Sequence, residues 1–388
     1  MPNSSLTQRL DTVIQHAIDQ RSIVGAVVLV SQNGQLIYHN ASGQADREAG
    51  TPMQEDTIFR FASVTKPIVS ATVMRLVEEG HLELDAPISR YLPNFRPRLA
   101  DGSEPDITIH HLLTHTAGLN YRFFMNENSD YHRLNVSDGM DQPGLSIEEN
   151  LRRIADAPLL FSPGAQWNYS LATDVLGAVI ERVEGRRLGE VVREYVTGPL
   201  KMEDTGFHVS DLTRLAKPYA DGTPAPVVMS EGMQVPLDLP GVEGAVRFSP
   251  SRILNPASYH SGGAGMAGTA GDVLRFLEAI RTDGAGLLTP QTIQKMMQDH
   301  VGSEVQTQGP GWGFGYGWAV LSDASQSDTP HNQGTLQWGG VYGHYWFVDP
   351  VSKLTVVSLT NTSFEGMSGA FPFAVRDAVY GHSVDKPA

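Results

Sequence analysis

Residues 56–80 read DTIFRFASVTKPIVSATVMRLVEEG, and the reading of the whole chain starts there. Asp56–Phe61 is strand-like and leads directly into Ser63. Ile68, Val69, Val73, Leu76 and Val77 then recur at helical spacing until Gly80, a residue type that commonly ends helices. Ser63 is therefore expected at a helix start, where unpaired backbone N–H groups favour developing negative charge. Lys66 follows three residues later on the same face. Pro67 falls in the first turn, where it forgoes little hydrogen bonding. A serine hydroxyl is a weak nucleophile until a neighbouring base takes its proton. A lysine can be that base if burial or a nearby cation lowers its reference pKa of about 10.4. Ser383-Val384-Asp385-Lys386 repeats the Ser-x-x-Lys pattern, but in a polar tail without apolar periodicity, and reads as chance.

Outward from this stretch, Leu6, Leu10, Val13, Ile14, Ala17 and Ile18 suggest an amphipathic N-terminal helix. Gly25–Val30 and Gln35–His39 are apolar, β-branched runs on either side of Asn33-Gly34, a strong hairpin signal. From Leu84 to His300 the pattern turns to helical segments, at 108–113, 146–156, 170–183, 187–196 and 270–281, separated by long loops. Residues 219–261 carry Pro224, Pro226, Pro236, Pro240, Pro250 and Pro256, and loops of that length usually build functional walls. Segments 317–322, 334–339, 344–349 and 354–361 read as consecutive antiparallel strands, with 371–380 as a closing helix. The expected fold is α/β (α+β), an antiparallel sheet flanked by helices plus a mostly helical second domain. Residues 1–85 and 301–388 would form the sandwich, 86–300 the helical domain, and the active site would lie between them.

Two further elements carry chemical potential. Tyr169, in Tyr169-Ser170-Leu171 after the Pro163-Gly164 turn, can shuttle a proton if a cation stabilises its phenolate. Trp338-Gly339-Gly340-Val341 places two glycines on a strand of large residues, which marks a bulge or a close backbone approach. The Val341 and Ser63 N–H groups could then form an oxyanion hole.

Ser-x-x-Lys near residue 60, a tyrosine triplet about a hundred residues on, and a strand triplet near the C-terminus together resemble the serine β-lactamase and penicillin-binding-protein superfamily, with class C-like spacing. The segment His111–Leu119, residues 261–276, Asp46-Arg47-Glu48, residues 98–104 and residues 338–349 extend the likeness to the family VIII carboxylesterases of the EstB type, over nearly the whole chain. That resemblance implies a β-lactamase-like fold and Ser63, Lys66 and Tyr169 as catalytic residues. It also implies Ser63 and Val341 as oxyanion donors, with Trp338, Gly339, Gly340 and Tyr121 against substrate. Where β-lactamases carry Lys-Thr-Gly, this chain has Trp338-Gly339-Gly340, so the groups that would anchor an anionic lactam are missing. The expected activity is hydrolysis of short-chain carboxylic esters. A β-lactamase, D-peptidase, acyltransferase or non-catalytic binding protein on the same frame remain the alternatives.

Other classes are disfavoured. With 28 Lys+Arg against 43 Asp+Glu the net charge is −15, contrary to what phosphate binding requires. No cysteine is present, which removes disulfides, thiolate metal sites and a thiol nucleophile. His111 and His115 stand at metal-binding spacing, but Leu112 occupies the place of the catalytic Glu of zinc hydrolases. Residues 263–268 spell a dinucleotide fingerprint without the buried strand that must precede it. No Gly-x-Ser-x-Gly elbow occurs. Tyr121, Phe123, Phe124, Trp312, Phe314, Tyr316 and Trp318 form two aromatic clusters that are candidate pocket walls. A cytoplasmic enzyme without cofactor or metal is expected, acting on a small-molecule ester with no nucleic-acid or membrane partner.

Overall fold

Val27 and Leu29 project into one apolar core, while Ala26, Val28 and Val30 project into another. A strand buried on both faces loses the alternation of a surface strand and reads as a continuous apolar run. The structure, a computed structural model, describes residues 5–381 apart from 210, 238–243 and 283. The second Ser-x-x-Lys pattern at 383–386 and Pro240 therefore lie outside the described residues.

Among the described residues the main sheet has eight strands: β1 (Gly25–Gln32), β2 (Gln35–Asp46), β3 (Thr51–Pro52), β4 (Trp312–Phe314), β5 (Ala319–Leu321), β6 (Leu336–Gly340), β7 (His344–Asp349) and β8 (Leu354–Thr360). Their order is β4-β5-β6-β7-β8-β1-β2-β3. All neighbours are antiparallel, with β1 beside β8 in the register Val28↔Ser358. Asn33 (φ 54°) and Gly34 (φ 80°) turn the β1–β2 hairpin, the positive-φ pair that a two-residue type I′ turn requires.

One face of the sheet is covered by the helices Leu6–Asp19 and Ala370–Tyr380, which pack on Ala26, Val28, Val30, Tyr345, Phe347 and Val356. The opposite face meets the Ala270–Arg281 helix and the larger core. Within that core runs the Thr65–Glu78 helix, buried from Thr65 through Met74 on every side. It is buried all round although Thr65, Lys66, Ser70 and Thr72 are polar, and it packs against the Ala172–Glu184 helix. The expected 187–196 helix divides into Leu188–Val192 and a wider turn over Arg193–Thr197. Residues 219–261 contain two small hairpins, Tyr219–Ala220 with Val227–Val228 and Gln234–Pro236 with Ala245–Arg247. Among the described residues no helix is long and apolar enough to cross a membrane.

Candidate active site

The turn that presents Ser63 is held on three sides. Phe59–Arg60 pairs as a short strand with Ala267–Gly268, and the Phe61 N–H donates to the Met266 carbonyl (2.8 Å). His344 on β7 reaches the Arg60 carbonyl with Nε2 (2.6 Å). At the end of β6, Gly340 lies so close that a Cβ there would stand 2.2 Å from the Phe61 carbonyl oxygen. Ala62 adopts φ 45°, an uncommon conformation for a residue with a side chain. A single tight turn over Ala62–Val64 then passes into the Thr65–Glu78 helix, leaving Ser63 at its N-terminal end.

Lys66 lies one turn along that helix and is fully buried. Its Nζ donates to Ser63 Oγ (2.9 Å) and to the Gly263 carbonyl (2.8 Å). It also lies 4.7 Å from the centre of the Tyr169 ring and 5.4 Å from that of Tyr121. Burial pushes the Lys66 ammonium down to about 7, against the opposing pull of Asp174. A large fraction of Lys66 can thus be a neutral amine at physiological pH.

Tyr169 Oη donates to Ser63 Oγ at 2.6 Å. Burial drives its phenol well above the ordinary range, so it rests protonated, although Ser63, Trp338 and Tyr121 pull the other way. Aromatic rings surround it: His115 at 5.0 Å, Tyr121 at 5.1 Å, Trp338 edge-on at 5.2 Å, Phe124 at 6.4 Å and Trp167 at 6.5 Å between centroids. Burial, reinforced by Lys66, holds His115 well below the usual imidazole range, so that neighbour carries no charge.

Gly340 is brought to the Ser63 turn and Trp338 to the Tyr169 ring, and Val341 follows directly, its carbonyl fixed by the Ser363 hydroxyl (2.8 Å). Gly339 faces the other way, where a Cβ would meet the His344 carbonyl at 2.5 Å. Tyr121 is 2% exposed, stacks on Phe123 and lies beneath Tyr169. Of the second aromatic cluster only Phe314 reaches the site, against Trp167 and Trp338. Trp312, Tyr316 and Trp318 pack instead on His331, His110/His300 and Trp346.

His111 closes a capping box with Thr108, whereas His115 pairs with Ser170, so the two histidines serve separate ends. Among the described residues no group of three or more His, Cys, Asp or Glu could hold a metal. A cavity of about 910 Å³, lined by Tyr91, Phe95, Leu151 and Arg182 among others, shares no residue with the Ser63 centre.

Sequence reading did not single out Asp174, Trp167 or Ser363. Gly263 belongs to the run 263–268, whose glycines read as a loop near the pocket, and its carbonyl does accept from Lys66. Asp174 sits in the opening turn of a helix and Ser363 in a polar Thr-Asn-Thr-Ser stretch, contexts in which such residues ordinarily cap.

The Beta-lactamase family matches residues 10–379. The chain is 55% identical over 377 residues to esterase EstB of Burkholderia gladioli, covering 97% of this chain and 96% of that protein. It is 27% identical over 378 residues to the lovastatin esterase of Penicillium rubens, covering 89% and 90% respectively. Among solved structures, EstCE1, described as a hydrolase with promiscuous acyltransferase activity, superposes with a TM-score of 0.94 at 51% identity over 97% of this chain and 98% of that one.

Proposed function

The chain belongs to the Beta-lactamase family, and from that premise we propose that it is a serine carboxylesterase hydrolysing short-chain carboxylic esters through an acyl-enzyme on Ser63. The observation that carries the proposal is the convergence on Ser63 Oγ of Lys66 Nζ (2.9 Å) and Tyr169 Oη (2.6 Å). Nucleophile and base within such reach are the requirement for covalent acyl transfer.

Neutral Lys66 takes the Ser63 proton as Oγ bonds to the ester carbonyl carbon. The N–H groups of Ser63 and Val341 stabilise the resulting oxyanion. The carbon–alkoxide bond then breaks, and the departing alcohol takes a proton from the Tyr169 phenol, which Lys66 resupplies. Water repeats the path, releasing the acid and restoring Ser63. The resemblance aligns Trp338-Gly339-Gly340 with the Lys-Thr-Gly that gives β-lactamases a cation and a hydroxyl, and Trp338 joins the aromatic rings around Tyr169. Such a wall suits a neutral ester.

A second reading, transfer of the acyl group to an alcohol other than water, is favoured by the likeness to EstCE1, whose acyltransferase activity accompanies hydrolysis. Ser63→Ala is expected to lose roughly 10⁴–10⁶-fold in turnover of a short-chain p-nitrophenyl ester, as nucleophile deletions in serine hydrolases do. Near-wild-type hydrolysis by that variant would reject the assignment. Nitrocefin assayed alongside, and product analysis with added alcohol, separate the lactamase and transferase alternatives.

A further inference from the structure

Gly263 supplies the carbonyl that accepts from Lys66, and a carboxyl lies against the same glycine. A Cβ on Gly263 would stand 2.4 Å from Asp174 Oδ2 and 3.2 Å from the Tyr121 phenol oxygen. A Cβ on Gly139 would stand 3.2 Å from Asp174 Oδ1 and 2.2 Å from Ser261 Oγ. Two glycines therefore leave room for this one carboxyl. Asp174 lies in the first turn of the Ala172–Glu184 helix, five residues after Tyr169, and is 1% exposed. Neither of its oxygens closes a hydrogen bond, although the Ser261 hydroxyl and the Gly263 N–H stand beside it and favour its ionised form.

An ionised carboxyl buried in this way is costly unless a charge answers it. Lys66, from the Thr65–Glu78 helix, and Arg252 are the cations that face it. Arg252 is already committed to the Asp141 and Tyr259 carbonyls and lies over the Tyr259 ring at 4.6 Å. Tyr121, Tyr169 and Tyr259 face Asp174 as phenols that burial keeps protonated. His115, beside Lys66, is neutral. As the ammonium, Lys66 would spend two of its three N–H groups on Ser63 and Gly263.

We propose that Asp174 is a positioning residue for the Ser63–Lys66–Tyr169 centre, the counter-charge behind Gly263 that stabilises Lys66 once it has taken the Ser63 proton. The proposal rests on Lys66 being the base. The proton passes from Ser63 Oγ to Lys66 Nζ, and Asp174 neither gains nor loses one. Burial alone would drive the carboxyl and the amine both to their neutral forms, and each charge opposes that drift in the other.

The test is the pH profile of kcat/KM in Asp174→Asn. Without the carboxylate, ammonium on Lys66 is less favoured, so the acid limb should move to lower pH by about one unit. The plateau should fall by up to about tenfold, because an amine weaker by one pKa unit is a poorer base. A folded Asp174→Asn whose acid limb coincides with the wild type overturns the proposal, whatever its plateau, since loss of packing alone would not move that limb. If Asp174→Asn does not fold, Ser261→Ala decides. Removing that hydroxyl disfavours the ionised carboxyl, so a limb displaced in the same direction supports the proposal and an unmoved limb overturns it. Failure of the underlying reading shows separately, as wild-type protein whose Ser63 is not labelled by a fluorophosphonate.

Discussion

At the scale of single residues, one environment acts oppositely on an amine and a phenol. Burial destabilises the charged form of each, so the Lys66 pKa falls to about 7 while that of Tyr169 rises well above its usual range, and both neutral forms gain. The proposed mechanism uses that difference: an amine to accept a proton and a phenol to give one, both hydrogen-bonded to Ser63 Oγ. In the proposed mechanism neutral Lys66 is the active form, so kcat/KM should rise with pH through about 7, the value to which burial lowers it. A rate–pH profile flat from pH 5 to 9 would contradict that assignment. Tyr169→Phe should lower kcat by roughly 10²–10⁴-fold, the usual share of a general acid. Its KM should change little, because the ring packing with Trp338 and Tyr121 survives. The sequence pointed to Ser63, Lys66 and Tyr169 by motif, but it left the resting base open between the last two, and the burial on which the proposal of Lys66 rests is recorded in no motif.

At the scale of elements, the site is made where a strand end meets a turn. Gly340 lets β6 approach the Phe61 carbonyl, which is backbone and cannot swing away as a side chain would. Gly340→Ala should therefore displace the β6 end from the Ser63 turn and lower kcat at least about tenfold, a small misplacement being enough for such a loss. Far-UV circular dichroism should remain that of the wild type. A folded Gly340→Ala with unchanged kcat would mean that this contact does not position the centre. Elements with strong periodicity, such as Ala270–Arg281 and Ala370–Tyr380, were legible because an apolar stripe records the face that is buried. The small hairpins within 219–261 were not, since two- or three-residue strands are too short to show any period. The Trp312–Trp318 aromatics look alike in sequence, and only packing divided Phe314, at the site, from its neighbours in the core.

At the scale of the whole molecule, strands distant in sequence are closed into one sheet. β8 lies between β7 and β1, so residues near 28 and near 358 share a ladder. A chain cut after Val351 would lose β8 and the Ala370–Tyr380 helix, leaving β1 and β7 with bare edges and half of one apolar layer exposed. Such a truncation is expected to be insoluble or to lack a cooperative thermal transition. A soluble, cooperatively melting fragment would show that the N-terminal hairpin folds independently of β8.

By its residues alone the chain determined the α/β character, the hairpin at Asn33-Gly34, the helix after Ser63 and the three chemical groups of the centre, because propensity, turn chemistry and short-range spacing are local properties. Tertiary structure alone decided the depth at which Lys66 is buried, the aromatic surround of Tyr169, the approach of Gly340 to Phe61 and the carboxyl of Asp174 behind Gly263. The physical reason is that desolvation and close backbone contact depend on the detailed packing of distant segments, and local sequence records which segments are strands or helices but not how closely they approach.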